Sequence, residues 1–464
     1  MRRTVVTGVD IDPYLRSLRE ELHVPGEFPS AVVDEASPAA TAWTRADRVD
    51  ATELDLVTLD PAGSRDLDQA FLLERDGKVL RLHYAIADVA AFVRPGGAVD
   101  LEAHARGETL YLPDGRSPLH PPVLSEGAAS LLPGADRPAV LWLIELDDEG
   151  EPREIDVRRA VVRSRAQLDY ASLQREGGDV FTLLKEFGEL RQARERARGA
   201  VSLPVPEQEV DGDGAHWSLV FRAPLPVEDW NAQMSLLTGM AAATLMLEAG
   251  VGLLRTMPAP DPATVASLRR SALALDVDWP DGFAYADVIR NLDPSKPAHA
   301  ALLRLAAVLF RGASYVAFDG APPAERTHSA VAAPYAHATA PLRRLADRYV
   351  SECCLAACAG QPVPDWVRTA LPTLPDEMAA ADRKAHEVDR AVVDLAEALL
   401  LQSRVGDVFC GAVVESGLKG GEVQLRDPAV RARFDGGGLL LGQEADVRLE
   451  SVDVAQRKVR FVPA

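Results

Sequence analysis

Cysteine is scarce in this chain, with four in 464 residues. Cys353, Cys354 and Cys358 crowd one predicted helix and Cys410 stands alone. No Cys-X-X-Cys or Cys/His spacing points to zinc, so they read as small buried residues of a reducing compartment. An apolar run free of charge and long enough to span a bilayer is also missing: the longest apolar patch, Leu236 to Leu254, carries Glu248 and reads as a buried core helix. The start, Met1 to Val6, has basic residues but no apolar stretch before Asp10 and Asp12, so no secretory leader is expected. Positive charge is the third shortage, with 50 Lys and Arg against 70 Asp and Glu and a formal net charge of −20. That is the opposite sign from a protein that binds nucleic acid through its overall field, so any such partner must sit in a local basic groove. Candidates are Arg153 to Arg165 (with Arg158, Arg159 and Arg163), Arg191 to Arg198, and Arg343, Arg344 and Arg348. Each is equally readable as a solvated helix or strand face.

What is present is an ordinary soluble globular composition, 47% hydrophobic, with length for two or three domains. One stretch stands out, T-L-D-P-A-G-S-R-D-L-D-Q-A-F from Thr58 to Phe71. Asp60-Pro61-Ala62-Gly63 has the residue choices of a type I turn, which would fold the chain back and bring Asp66 and Asp68 near Asp60. If Ser64 to Leu73 is extended, Asp66 and Asp68 share a face and Leu67 takes the other. Carboxylates that close repel unless a cation holds them ionised, and a hard divalent ion with oxygen ligands suits them. On the residues alone, a magnesium or manganese site and a solvated acidic loop both stay open.

Along the chain, Asp12-Pro13 opens a short helix carrying Leu15, Leu18 and Leu22, which Pro25-Gly26 stops. Pro29 to Ala51 reads as irregular and Ala-rich. Ala70 to Glu74 and Lys78 to Ala87 flank Arg75-Asp76-Gly77, a hairpin signal. A helix is expected from Val99 to Gly107, then a Pro-rich irregular stretch to Pro133, with strands at Ala139 to Glu145 and Arg153 to Val162. Helical spacing follows at Leu183 to Ala200, Val227 to Leu254, Pro262 to Ala274, Ala298 to Leu309, Pro341 to Ala359 and Asp376 to Ser403. From Val405 the character changes to short alternating strands with Gly-rich turns, the size of an OB-type barrel. Phe434 is the one aromatic on its central part, a thin basis for a base-stacking platform.

At this point the motifs resemble a known family. D-P-A-G-S-R-D-L-D-Q-A-F, H-Y-A-I-A-D-V-A-A-F-V at His83 to Val93, Y-L-P at Tyr111 to Pro113, S-R-A-Q-L-D-Y at Ser164 to Tyr170 and Y-A-H-A-T-A-P-L-R-R at Tyr335 to Arg344 look, in this order, like the catalytic (RNB) domain of the ribonuclease II family. The last segment resembles the S1-type domain that follows it. The resemblance implies an α+β fold with an RNB-type catalytic domain of mixed sheets and long helices at 50–403. Before it comes a short helical segment at 1–49, and after it an all-β S1/OB-like barrel at 404–464, with no room for N-terminal cold-shock domains. It implies 3′-to-5′ hydrolysis of single-stranded RNA to nucleoside 5′-monophosphates by a cytoplasmic monomer that needs magnesium or manganese, with no other small-molecule cofactor and no membrane. Asp60, Asp66, Asp68 and Gln69 are the implied metal ligands, Asp66, Asp68 and Arg343 the catalytic set, and Tyr111, Arg343 and Asp389 the RNA contacts. Taken alone, Arg343 reads as a salt-bridge partner and Tyr111 as a packed loop anchor. Departures accompany the matches. Gln69 replaces a second adjacent aspartate, which keeps a carbonyl ligand but loses a charge, so one ion should bind weakly. Leu345, Ala340 and Asp389 replace a tyrosine, a serine and a glutamate. The competing reading is an RNA-binding protein that kept the fold and lost turnover.

Overall fold

The computed structural model describes residues 4–7, 9–213 and 216–464. Met1 to Arg3 of the basic start therefore lie outside the described residues. The hairpin signal is realised: Gln69–Asp76 and Val79–Ala87 pair antiparallel around Gly77. The sheet continues through Asp136–Leu146 and Pro152–Arg163, and Val57–Asp60 and Ala166–Asp169 extend it beyond Gln69–Asp76. Val49–Ala51 closes the opposite edge, making seven strands. Both outermost strands, Ala166–Asp169 and Val49–Ala51, run parallel to their neighbours.

Period-two alternation gives this sheet two unlike faces. Phe71, Tyr84, Trp142 and Val157 are successive cross-strand partners on one of them. Their rings share a core with Leu184 and Phe187 of the helix Asp179–Arg198, Met234 and Leu237 of Pro226–Ala249, and Tyr349 and Val350 of Leu345–Ala359. The other face is built from small residues, Ala87, Ala139 and Ala160 in register, and packs against Val32, Ala36, Phe92 and Leu131. Small residues let those elements approach the sheet closely, while the large face fills the wider gap beneath helices.

Three expectations change. Pro29 to Ala51 is not irregular, since Ser30–Ala42 is a helix despite Pro38 within it, with Val32 and Ala36 four apart and buried on the sheet. The apolar run Val227 to Leu254 is two elements. Gly250, at φ 74°, caps the helix Pro226–Ala249, and Val251–Thr256 is a strand paired with Ser314–Asp319. The helix expected from Pro341 starts at Leu345. A small sheet of Thr4–Thr7, Glu207–Asp213 and His216–Arg222 was not foreseen.

The C-terminal segment is a closed five-stranded barrel of Val408–Gly417, Gly420–Leu425, Arg431–Asp435, Glu444–Asp453 and Lys458–Pro463. Phe434 is 1% exposed and lies in its interior core with Phe409 and Phe461, so it offers no stacking surface. Leu15 and Leu18 of the opening helix Asp12–Glu21 join Leu395 and Leu399 of the long helix Leu374–Leu401 in that same core. The four cysteines are unpaired, Cys353 and Cys354 buried, Cys358 and Cys410 half-buried. No helix among the described residues is long and apolar enough to cross a membrane.

Candidate active site

The strand Val57–Asp60 delivers Asp60 to its C-terminal end, and the chain then turns back. The turn forms one residue later than its composition suggests, with the Ser64 N–H donating to the Pro61 carbonyl at 3.1 Å and Gly63 at φ 84°. The extended segment expected from Ser64 begins only at Gln69. Ser130 pins the residues between: its hydroxyl donates to the Arg65 carbonyl at 2.6 Å and accepts the Leu67 N–H at 2.9 Å. The Leu131 N–H donates to the Leu67 carbonyl at 3.0 Å. As a result Leu67 and Asp68 are both buried, and Asp66 and Asp68 find different partners.

Asp68 Oδ1 accepts the Leu342 N–H at 2.7 Å, and Arg343 Nε lies 3.6 Å from its Oδ2. Burial pushes the Asp68 carboxyl up to about 8 in spite of Arg343 and the Leu342 N–H, which pull it down. Asp60 is pushed up to about 6, chiefly by burial against the pull of Arg343, with Asp66 adding repulsion. Its Oδ2 is buried with no hydrogen-bond partner among the described residues. Asp66 instead pairs with Arg116 and accepts the Tyr111 hydroxyl at 3.2 Å. Gln69 uses both ends of its amide: Nε2 donates to the Thr339 carbonyl at 2.6 Å, and Oε1 accepts the Tyr84 hydroxyl at 2.7 Å.

The four-residue oxygen cage expected from the sequence is thus not assembled, and among the described residues no group of three His, Cys, Asp or Glu side chains is placed to hold a metal. The cause is local, because Arg116 neutralises Asp66 and the Gln69 amide is taken up by protein partners. Asp60 and Asp68 nevertheless fit a hard divalent cation. They present an orphaned buried oxygen on Asp60 and two carboxyls that burial has pushed up, groups that a cation would hold ionised.

Beside them opens a cavity lined by Glu108, Tyr111, Arg343, Arg344 and Asp389. Tyr111 stands on the short strand Leu110–Leu112 with 48% of its surface exposed, and Asp389 is exposed on the long helix. The two arginines differ. Arg344 is committed to Asp347 through Nε at 3.0 Å and Nη2 at 2.8 Å, whereas the Arg343 guanidinium makes no hydrogen bond to a described residue and approaches Asp68 at 3.6 Å. The segment is zipped to its neighbour, since the Thr109 N–H meets the Arg343 carbonyl at 2.9 Å and the Leu345 N–H meets the Gly107 carbonyl at 3.0 Å. These contacts hold Arg344 extended, which delays the helix and uses one of its N-terminal donors.

The other basic patches are structural. Arg159 pairs with Asp88 and Glu352, Arg163 with Asp136, Arg158 with Asp156, Arg348 with Asp100, and Arg191 donates to the Gly150 carbonyl. Sequence reasoning missed Glu108, whose Oε1 is buried without a hydrogen-bond partner among the described residues and whose carboxyl burial and Asp382 push up to about 7. It also missed Arg116. Neither carries a periodic or spacing signal; the cavity singles out Glu108, and the pairing with Asp66 singles out Arg116.

A model of the RNB domain matches residues 48–358, and one of the RNase II-type exonuclease C-terminal S1 domain matches residues 407–464. The chain is 26% identical to ribonuclease R of Escherichia coli strain K12 over 98% of its own length and 62% of that protein, so it spans less than two thirds of that relative. Among solved structures, Mycoplasma genitalium RNase R in complex with ribose-methylated single-stranded RNA is similar at a TM-score of 0.87 and 19% identity, covering 98% of this chain and 78% of that one. Yeast Ssd1, described as a pseudonuclease, is similar at a TM-score of 0.70 and 16% identity, covering 86% and 52%.

Proposed function

This chain belongs to the RNB-domain family, and from that premise we propose that it is a divalent-metal-dependent 3′-to-5′ exoribonuclease that shortens single-stranded RNA to nucleoside 5′-monophosphates. The observation that carries the reading is one cavity shared by Tyr111, Arg343 and Asp389, with Arg343 adjoining the buried Asp68. Asp60 and Asp68 would hold the magnesium or manganese ion. Such an ion, when bound, lowers the pKa of water to give hydroxide and stabilises charge on the phosphoryl oxygens. Arg343 offers a planar fork of donors matched to a phosphate. Tyr111 stacks on the terminal base while its hydroxyl, tied to Asp66, fixes the ring. Asp389 and Glu108 offer acceptors to ribose hydroxyls. The domain division at 50 and 404, the monomeric state and the cytoplasmic location belong to the same proposal.

Incubating 5′-labelled single-stranded RNA with the protein and magnesium or manganese should give a ladder shortened from the 3′ end, which Asp68→Asn abolishes. Absence of shortening, or equal digestion by Asp68→Asn, sinks the proposal. The similarity to a pseudonuclease, and an amide at Gln69 where the resemblance implies a carboxylate, favour a second reading, RNA binding without turnover. It would show as labelled RNA retained on the protein, uncut, with metal present.

A further inference from the structure

We infer that Gln69 is a positioning residue for Arg343 and not a weakened metal ligand, an inference that rests on the nuclease reading above. Besides the Thr109 N–H on the Arg343 carbonyl, three side chains fasten the loop carrying Arg343. Gln69 Nε2 holds the Thr339 carbonyl at 2.6 Å, Asp347 Oδ1 takes the Ala340 N–H at 2.7 Å, and Asp68 Oδ1 takes the Leu342 N–H at 2.7 Å. Two of these fastenings come from consecutive residues, Asp68 and Gln69, so the loop is registered directly against the start of the strand Gln69–Asp76 and the buried carboxyl just before it. The guanidinium of the next residue, Arg343, is placed as a consequence.

The Gln69 amide is itself held from the far side. Its Oε1 accepts from Tyr84, a fully buried ring in the cross-strand ladder between Phe71 and Trp142, whose hydroxyl also meets Ser235 Oγ at 3.0 Å on the helix Pro226–Ala249. The relay therefore runs from core helix to sheet to loop, Ser235 to Tyr84 to Gln69 to Thr339. An amide suits this position because it must accept at one end and donate at the other. A carboxylate accepts from Tyr84 equally well but has no donor for the Thr339 carbonyl, and two acceptors at that separation repel. Thr339 is 4% exposed, so water does not readily replace the lost donor. The aspartate implied by the family resemblance would release the loop here.

The test compares the parent with Gln69→Asp, Gln69→Leu, Arg343→Lys and the Gln69→Leu/Arg343→Lys double variant. It reads kcat and KM on 5′-labelled RNA, Mn²⁺ affinity by calorimetry, and amide hydrogen exchange over 338–344. Expected results are a tenfold or greater fall in kcat for both Gln69 variants with KM within threefold, Mn²⁺ affinity within threefold, and faster exchange in the loop. Gln69→Leu should add little once Arg343 is already Lys. Tenfold tighter Mn²⁺ and faster turnover in Gln69→Asp would overturn the inference, as would additive losses in the double variant or unchanged loop exchange. Should the parent fail to cut RNA, the nuclease reading falls alone, and the exchange and Mn²⁺ measurements still decide between strut and ligand.

Discussion

Glu397, on the long helix Leu374–Leu401, is 4% exposed, and its Oε1 receives both Gln208 Nε2 at 2.6 Å and the Arg431 N–H at 2.7 Å. One oxygen thereby ties the helix to the strand Glu207–Asp213 and to the C-terminal barrel. Burial pushes this carboxyl up to about 8, overcoming both donors, from a reference of 4.5. Below pH 4.5 the folded and unfolded chains both carry the proton and the site is indifferent to pH. Between 4.5 and about 8 the folded state keeps a proton that the unfolded state has released, so stability falls as pH rises. Each pH unit in that window is worth about 1.4 kcal/mol, so going from pH 6 to 9 should cost the parent about 3 kcal/mol from this group. Glu397→Gln keeps an accepting oxygen and removes the titration. Urea unfolding followed by tryptophan fluorescence should find parent and variant comparable near pH 6, with the variant more stable by about 3 kcal/mol at pH 9. Parallel profiles for the two proteins, or a parent that gains on the variant as pH rises, would refute the reasoning.

Tyr111→Ala should weaken binding of an RNA 3′ end by roughly 5- to 150-fold, the value of about 1 to 3 kcal/mol for a stacked base, while Tyr111→Phe stays near the parent. Fluorescence anisotropy in the Asp68→Asn background measures this, and a Phe variant as poor as Ala would show that stacking is not the ring's task. Phe434→Ala should cost about 3 to 5 kcal/mol of stability, as for other buried aromatics, and leave RNA affinity unchanged below its melting temperature. Lost affinity without lost stability would contradict its place inside the barrel.

The parts of the fold that could be read from the chain are those whose signals are local. Pro262–Ala274 forms as expected because Asp261 accepts the Ala263 N–H and Pro262 occupies the first turn, both within four residues. The hairpin at Gly77 is local in the same way. Ser30–Ala42 was illegible since Pro38 and the scarcity of large apolar residues mask a helix whose stability comes from burying Val32 and Ala36 on a distant sheet. The site divides likewise. Asp60, Asp66, Asp68, Tyr111, Arg343 and Asp389 could be named from motifs, and Tyr111, Arg343 and Asp389 do line one cavity. What each carboxylate and amide touches was not readable: the partners of Asp66 and Gln69, Arg116 and Thr339, are chosen by tertiary packing.

The proposed function asks so acidic a chain to hold a polyanion, and local charge answers how it would. At physiological ionic strength exposed charges are screened over about 8 Å, so the net charge of −20 matters less to an RNA end than the groups lining the cavity. There Arg344 is committed to Asp347, and Arg343 is left facing two carboxyls that burial has driven up to about 6 and about 8. Arg343 thus has two claimants, the carboxylate of Asp68 and an incoming phosphate. A cation held by Asp60 and Asp68 would take over the neutralisation that Arg343 now supplies, and its fork would be free for the phosphate. On the proposed function, cation and RNA would favour each other's binding through this guanidinium, each strengthening the other by reciprocity. That coupling makes the Gln69 relay matter: a loop free to drift would leave the guanidinium on Asp68, where it competes with the cation and never meets the phosphate.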